Sequence, residues 1–320
     1  MHRIERTLFP MARFEVVNVA TVPMRSPFRY PGGKTWLVPE IRAWLNGLTK
    51  KPNIFVEPFA GGGIASLTVI FENLADHVVM VEKDEQVAAV WKVILNDANW
   101  LANQILNFKV TIETARDFLS ANPSTLRDKA FQVILRNRVQ RGGILAPGAS
   151  LIKSGENGRG ITSRWYPATL AKRILDIYEH RDRITFLEGD AFDTIPDFLN
   201  SQDAVFFIDP PYTAGGKRAG KRLYLHNEID HEALFSMMAH AKGNFMMTYD
   251  DAPEVQEMAT RYGFSVRKVP MKNTHHAKMF ELLIGPPHSI ITGVSALSCA
   301  QTRSEIPEFL PLDPQRSFPE

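Results

Sequence analysis

The tetrad Asp209, Pro210, Pro211 and Tyr212 has the most specific chemistry of any segment in this chain. It follows the apolar run 204–208, which predicts a buried strand, so it stands at the strand end where open α/β sheets bind ligands. An exocyclic amine on a nucleobase is a weak nucleophile because its lone pair is conjugated into the ring. The Asp209 carboxylate and the Pro210 carbonyl could accept its two N–H bonds and stabilise developing positive charge. Tyr212 offers a stacking face. Taken alone, the tetrapeptide is also compatible with a plain turn.

A second segment with binding chemistry is the glycine turn at 57–63. It lies between a predicted strand at 54–56 and a predicted helix at 64–71, an order that lets a ligand approach the backbone closely. Ser66 occupies the position of the third glycine of a dinucleotide fingerprint, so the pattern favours a nucleoside-sized ligand over a pyrophosphate. The run 78–82 predicts another strand, which ends in an acid where ribose hydroxyls are commonly bound.

These motifs together resemble those of the α-class (Dam-type) DNA adenine N6-methyltransferase family. The segment 26–34 resembles the family's N-terminal cofactor motif, 189–192 the acid that contacts the cofactor adenine, and 209–212 the catalytic tetrad. The motifs follow the family's order over roughly 24–285. The resemblance implies an α/β fold, namely a Rossmann-like S-adenosylmethionine-dependent methyltransferase sheet with an inserted, mainly helical target-recognition domain.

The same resemblance implies S-adenosyl-L-methionine as cofactor and N6 of a flipped adenine in DNA as target. Glu82 stands where the family more often has Asp, which leaves its ribose contact open. The implied catalytic residues are Asp209, Pro210, Pro211 and Tyr212. The implied cofactor-binding residues are Tyr30, Gly32, Gly33, Lys34, Glu57, Phe59, Gly61, Gly63, Glu82 and Asp190.

A basic segment extends from 136 to 183, with ten Lys or Arg against four Asp or Glu. Basic side chains among glycines and the aromatic residues Trp165 and Tyr166 predict a surface that neutralises phosphates and reads bases, although charge runs are often only solvated. A smaller cluster at 217–222 predicts a loop that closes over DNA. The predicted DNA-binding residues are Arg138, Arg141, Lys153, Arg159, Arg164, Lys217 and Lys221. The stretch 141–143 departs from the Dam-type pattern, so GATC specificity is not implied.

The order of these segments predicts the organisation of the chain. We expect an N-terminal extension at 1–23, a first catalytic and cofactor part at 24–110, a target-recognition insertion at 111–183, a second catalytic part at 184–288 and a poorly ordered tail at 289–320. Helices are predicted at 126–139 and 168–178. Further strands are predicted at 184–187, 205–208, 245–249, 264–266 and 279–284.

Composition agrees with an intracellular enzyme. The 320 residues, 44% of them apolar, can form a sizeable core. The single cysteine, Cys299, excludes an internal disulfide framework, and the scattered histidines predict no metal site. No apolar stretch approaches the ~18 residues needed to span a bilayer, and no signal-peptide pattern opens the chain. We expect a cytoplasmic monomer or weak dimer that binds double-stranded DNA. Whether it is partnered by a restriction endonuclease stays open.

Other functions remain compatible with parts of this pattern. Methylation of cytosine N4 uses similar geometry, although the related enzymes more often begin the tetrad with Ser. An RNA or glutamine methyltransferase accounts less well for the basic insertion, and a catalytically silent DNA-binding homologue would keep the fold without the reaction. A nicotinamide-dependent oxidoreductase explains neither 209–212 nor the missing third glycine.

Overall fold

A seven-stranded mixed sheet forms the centre of the fold in the computed structural model. The strands are β1 Ile54–Glu57, β2 His77–Glu82, β3 Ile184–Glu188, β4 Ala204–Ile208, β5 Phe245–Asp250, β6 Ser265–Lys272 and β7 Lys278–Gly285. Their order is β3-β2-β1-β4-β5-β7-β6. Strands β1 to β5 pair in parallel, whereas β7 runs antiparallel to both β5 and β6. The structure describes residues 19–29, 33–143, 145, 149–155, 158–211, 229–272 and 278–287.

Nine α-helices accompany the sheet in the described part of the chain. They are α1 Val38–Asn46, α2 Ile64–Phe71, α3 Glu85–Asn107, α4 Ile112–Ser120, α5 Leu126–Val139, α6 Pro167–Tyr178, α7 Ala191–Phe198, α8 His231–Ala239 and α9 Pro253–Arg261. Connections between parallel strands require such crossovers, which cover both faces of the sheet. The α/β prediction is thereby confirmed, as are the predicted helices at 64–71 and 126–139.

Two hydrophobic cores lie on opposite faces of the sheet. Adjacent side chains of a strand point to opposite faces, so Phe55 packs into one core with Trp91 and Val56 into the other with Phe235. Strand β4 is buried at every position, as expected for a central parallel strand. Since parallel strands end at the same edge, β1, β2 and β4 deliver Glu57, Glu82 and Asp209 to one side of the sheet.

The region predicted as an insertion, 111–183, packs its helices onto the rest of the fold. Helices α5 and α6 both contact α3, and Phe131 and Leu170 belong to the same hydrophobic core as β2. The helical prediction for this region is confirmed, and its role in target recognition stays a prediction. No helix among the described residues is both long and apolar enough to span a bilayer.

Candidate active site

The glycine turn between β1 and α2 is held in place by the side chains of Met80 and Trp91. Gly61 and Gly63 have φ of 47° and 63°, a region that favours glycine. A Cβ at Gly63 would lie 2.5 Å from Cε of Met80 and 2.8 Å from the Trp91 ring. The Trp91 indole N–H also donates to the Gly61 carbonyl at 2.9 Å. The turn therefore presents backbone atoms without side chains at the end of the sheet. Any shift of the turn would also displace Trp91 in the core.

Glu82, at the end of β2, is bound to this turn through its carboxylate. Oε2 accepts from the Gly61 N–H at 2.7 Å, and Oε1 accepts from the Asp84 N–H at 2.8 Å. Burial raises the pKa of Glu82 to about 7. Each carboxylate oxygen has two acceptor sites, so both keep capacity for a further donor such as a sugar hydroxyl.

Glu57 ends β1 and is only 3% exposed. Its Oε2 accepts from the backbone N–H of Ser66 at 2.8 Å, in the first turn of α2. Burial raises its pKa to about 8, and the nearby Asp209 carboxylate adds to that rise. The residue that stands in place of a third glycine therefore anchors an acid of the site through its backbone.

Asp209 follows β4 and is held by side chains from two other parts of the chain, one of which also contacts a third. Lys34 Nζ lies 2.9 Å from Asp209 Oδ1 and 3.5 Å from Glu281 Oε2, and the Thr248 hydroxyl donates to the same Oδ1 at 2.8 Å. Lys34 is only 4% exposed. Burial raises the pKa of Glu281 to about 7, an effect that Lys34 opposes. Sequence reasoning missed Thr248 and Glu281, although both are polar residues within predicted apolar strands.

One cavity of about 870 Å³ joins these groups. Its volume falls in the range of pockets that enclose small molecules. Its lining includes Gly33, Lys34, Glu57, Phe59, Gly61, Gly63, Glu82, Asp190, Asp209, Pro210 and Pro211. Every predicted cofactor or catalytic residue that the structure describes therefore borders the same space.

Asp190 lies at the cavity edge beyond β3. Its Oδ1 accepts from the Phe192 N–H at 3.0 Å and caps α7, while Lys83 Nζ lies 2.7 Å from its Oδ2. Phe192 itself also lines the cavity. An aromatic ring beside a capped carboxylate can accommodate a flat heterocycle with an amino group.

The N-terminal motif is fastened to the site by two further contacts. The Ser26 hydroxyl donates to the Gly62 carbonyl at 2.6 Å. The fully buried Asn137 side chain accepts from the Arg29 N–H at 2.8 Å and donates to the carbonyls of Arg29 and Gly143 at 3.0 and 2.8 Å. Asn137 was not predicted from sequence. It connects α5 to two segments that line the cavity.

Comparison with known proteins finds a family to which part of the chain is similar. Residues 30–132 match the family model D12 class N6 adenine-specific DNA methyltransferase. This part of the chain is similar to that family. The Type II methyltransferase M.MjaIII of Methanocaldococcus jannaschii is 23% identical over 292 residues, which cover 81% of this chain and 98% of that protein. The predicted resemblance is confirmed.

Solved structures resemble this chain only remotely. The rRNA methyltransferase aviRa from Streptomyces viridochromogenes is 14% identical with a TM-score of 0.38, covering 82% of this chain and 88% of that one. A methyltransferase from Geobacter sulfurreducens is 12% identical with a TM-score of 0.36, covering 81% of each chain. Similarity this low carries no argument about the substrate, and the fold assignment here depends on the sheet order.

The structure corrects part of the predicted DNA surface. Arg138 is 5% exposed and donates to the Pro27 carbonyl, so it does not lie on the surface. Burial lowers its pKa to about 9, and the nearby Arg173 and Arg29 add to this effect. Trp165 is also buried, since it packs against Phe131 in the core. Helix α5 is buried at nine of its last ten positions, so Arg138 faces the interior.

The other predicted basic residues that the structure describes are accessible. Arg141, Lys153 and Arg159 are exposed, and Arg164 is half-buried. Tyr30, Gly32, Tyr212, Lys217, Lys221 and the tail predicted at 289–320 lie outside the described residues. Among the residues that are described, no group of three or more His, Cys, Asp or Glu side chains is arranged to hold a metal ion.

Proposed function

We propose that this chain transfers a methyl group from S-adenosylmethionine to N6 of adenine in double-stranded DNA. The observation that carries the proposal is the position of Asp209. Asp209 directly follows a central strand, and it lines the same cavity as the glycine turn and Glu82. The family match to N6 adenine-specific DNA methyltransferases supports the same reaction.

The residues of the cavity fit S-adenosylmethionine. Eight carboxyl groups line the cavity against three basic side chains. Even without Glu57, Glu82 and Glu281, whose pKa values are raised, the other five leave an excess of negative charge that favours a cationic ligand. Glu82 has acceptor capacity for ribose hydroxyls, and the glycine turn admits close approach of a ligand. Asp190 is a candidate for the cofactor adenine. When bound, S-adenosylmethionine supplies an electrophilic methyl group on a positively charged sulfur.

Asp209 and Pro210 would act on the acceptor amine. The Asp209 carboxylate and the Pro210 carbonyl would each accept one N–H of the amine, which favours tetrahedral geometry at nitrogen and stabilises its positive charge. The proline ring restricts the backbone that carries this carbonyl, and Pro210 is buried. Asp209 is also placed to take the proton that the methylated nitrogen loses. No covalent bond to the protein is required.

The target adenine must leave the duplex to reach Asp209, because N6 in a base pair is hydrogen-bonded and enclosed. Flipping costs a few kcal/mol, which contacts in the pocket and on the backbone must recover. The exposed Arg141, Lys153 and Arg159 are suited to phosphate contacts. Arg164 is half-buried and would contribute less. The order and type of bases that flank the adenine are not implied by these contacts.

Methyl transfer can be tested with purified protein, tritiated S-adenosylmethionine and unmethylated double-stranded DNA. The DNA is digested to nucleosides, and the methylated base is identified by mass spectrometry. We expect N6-methyladenine from the wild type. Asp209→Ala and the isosteric Asp209→Asn should retain saturable cofactor binding in calorimetry, since Glu82 and the glycine turn are unchanged, while transfer is lost.

Three results would contradict the proposal. Near-normal turnover in both Asp209 variants would exclude the role of its carboxylate. Formation of N4-methylcytosine by the wild type would leave the amine chemistry intact but refute adenine as the target. Cofactor binding without transfer to any base would support a silent homologue.

A further inference from the structure

Thr248 stands out as a polar residue in the middle of β5. Its neighbours Met246, Met247 and Tyr249 are buried, and Thr248 itself is fully buried. Burying a hydroxyl is unfavourable unless it is hydrogen-bonded. The bond it makes is to Asp209 Oδ1, at 2.8 Å. The buried Thr248 hydroxyl is therefore satisfied by the Asp209 carboxylate.

Strand pairing fixes this contact. Strands β4 and β5 are parallel neighbours, and Ile208 pairs with Met247. Asp209 directly follows Ile208, and Thr248 directly follows Met247, so these two residues are also neighbours. Neighbouring strands lie about 4.8 Å apart, so the two side chains begin from adjacent, rigid backbone positions. The β-branched threonine also has restricted rotation about χ1, which limits where its hydroxyl can point.

We infer that Thr248 is a positioning residue that orients the Asp209 carboxylate for methyl transfer; the inference depends on the proposed function. Lys34 contacts the same Oδ1 at 2.9 Å, so one oxygen receives both donors. Oδ2 makes no hydrogen bond or ion pair with the described residues and is left to accept from the amine. Thr248 thereby decides which oxygen is engaged and sets the plane of the carboxylate.

Lys34 alone does not fix this plane. Its ammonium is a point charge on a flexible stem, and it is shared with Glu281 Oε2 at 3.5 Å. It can balance the charge of Asp209 while the carboxylate rotates. Within the part of the chain that the structure describes, the Thr248 hydroxyl has one partner, and its backbone is held in the sheet. Loss of this hydroxyl should therefore reduce the rate of transfer rather than the binding of cofactor or DNA.

The test compares two pairs of proteins that differ in the hydroxyl at position 248: wild type with Thr248→Val, and Thr248→Ser with Thr248→Ala. Thr248→Val replaces the hydroxyl by a methyl group of similar shape, and Thr248→Ser and Thr248→Ala differ only by the hydroxyl. A hydrogen bond to a charged group is worth about a 10- to 100-fold change in an equilibrium or rate. We expect the kcat of Thr248→Val to fall by about that factor, with KM for DNA and Kd for S-adenosylmethionine within about twofold of wild type. Thr248→Ser should restore most of the rate, and Thr248→Ala should not.

A control variant and a second background separate orientation from structure. Thr260→Val removes the hydroxyl that donates to the Gln256 carbonyl on the exposed face of α9 and should leave kcat unchanged. In the Asp209→Asn background, where transfer is already lost, Thr248→Val should lower the free energy of unfolding less than it does in the wild type, because the carboxylate that the hydroxyl binds is absent.

Several outcomes would overturn the inference. They are wild-type kcat in Thr248→Val, equal rates in Thr248→Ser and Thr248→Ala, or a loss that appears in KM rather than kcat. If Thr248→Val fails to fold, the Ser and Ala pair decides. Failure of the proposed function is distinguishable, because the wild type itself would then form no N6-methyladenine.

Discussion

Substitution of Gly63 by alanine tests whether the glycine turn is held by its packing. The added Cβ would meet Met80 Cε at 2.5 Å and the Trp91 ring at 2.8 Å, so both side chains must move. Overpacking of this kind costs about 1–3 kcal/mol. A left-handed backbone adds about 1–2 kcal/mol for a residue with a Cβ. The expected loss in the free energy of unfolding is therefore about 2–5 kcal/mol, a large part of the roughly 5–15 kcal/mol that stabilises a typical domain.

Gly263→Ala is the matched control for this prediction. Gly263 has φ of 69°, close to that of Gly63, and a Cβ there would meet nothing within 4 Å. It should lose only the backbone cost of about 1–2 kcal/mol. Urea denaturation followed by circular dichroism measures both variants, and the difference between them isolates the contact with Met80 and Trp91.

The same substitution should weaken cofactor binding. Displacement of Trp91 disturbs its 2.9 Å hydrogen bond to the Gly61 carbonyl, and the Gly61 N–H in turn binds Glu82. Calorimetry should show a raised Kd for S-adenosylmethionine in Gly63→Ala and not in Gly263→Ala. Equal stability of the two variants would refute the claim that core packing locks the turn.

Three further predictions concern other parts of the site. Asn137→Ala removes three hydrogen bonds between α5 and the cavity lining and should lower the free energy of unfolding by about 2–4 kcal/mol in urea; a loss below about 1 kcal/mol would contradict the role of this contact. Burial raises the pKa of Glu57 from 4.5 to about 8. Between these two pH values the folded state binds more protons than the unfolded state. The free energy of unfolding of the ligand-free protein should therefore fall as pH rises from about 5 to 8. Thermal melts should show a smaller pH slope in Glu57→Gln, and an unchanged slope would refute the assignment. Arg159→Gln should reduce the salt dependence of DNA binding by about one counterion, whereas Lys172→Gln, whose lysine is paired with Asp176, should change it less; equal slopes would contradict a phosphate contact at Arg159.

The elements of this fold were largely predictable from local sequence. Short apolar runs between turn residues predicted the strands at 54–56, 78–82 and 204–208, and the structure extends each by at most one residue. The position of Asp209 at a strand end followed from the same pattern. These predictions succeed because burial of a parallel strand requires a continuous apolar run, which is visible without knowledge of its partners.

The antiparallel insertion of β7 between β5 and β6 was not predictable in this way. An apolar run has the same composition whichever strands flank it, and the order of strands in a sheet is a property of the packed chain. This order brings Glu281 of β7 within 3.5 Å of Lys34 Nζ. The sequence signal for this contact was the acidic residue Glu281 within an apolar run, because a buried carboxylate requires a polar partner.

The sequence alone thus determined the chemistry of the site, through the residue types at the strand ends. The partners of those residues were determined by the tertiary structure. Asp209 and Thr248 are 39 positions apart, and Asn137 and Arg29 are 108 apart, yet each pair is joined by a direct hydrogen bond. Arg138 belongs to a charged stretch and is nonetheless buried, because α5 is surrounded by other elements. Local patterns report which faces of a segment are apolar, but only the folded chain determines which groups meet across them.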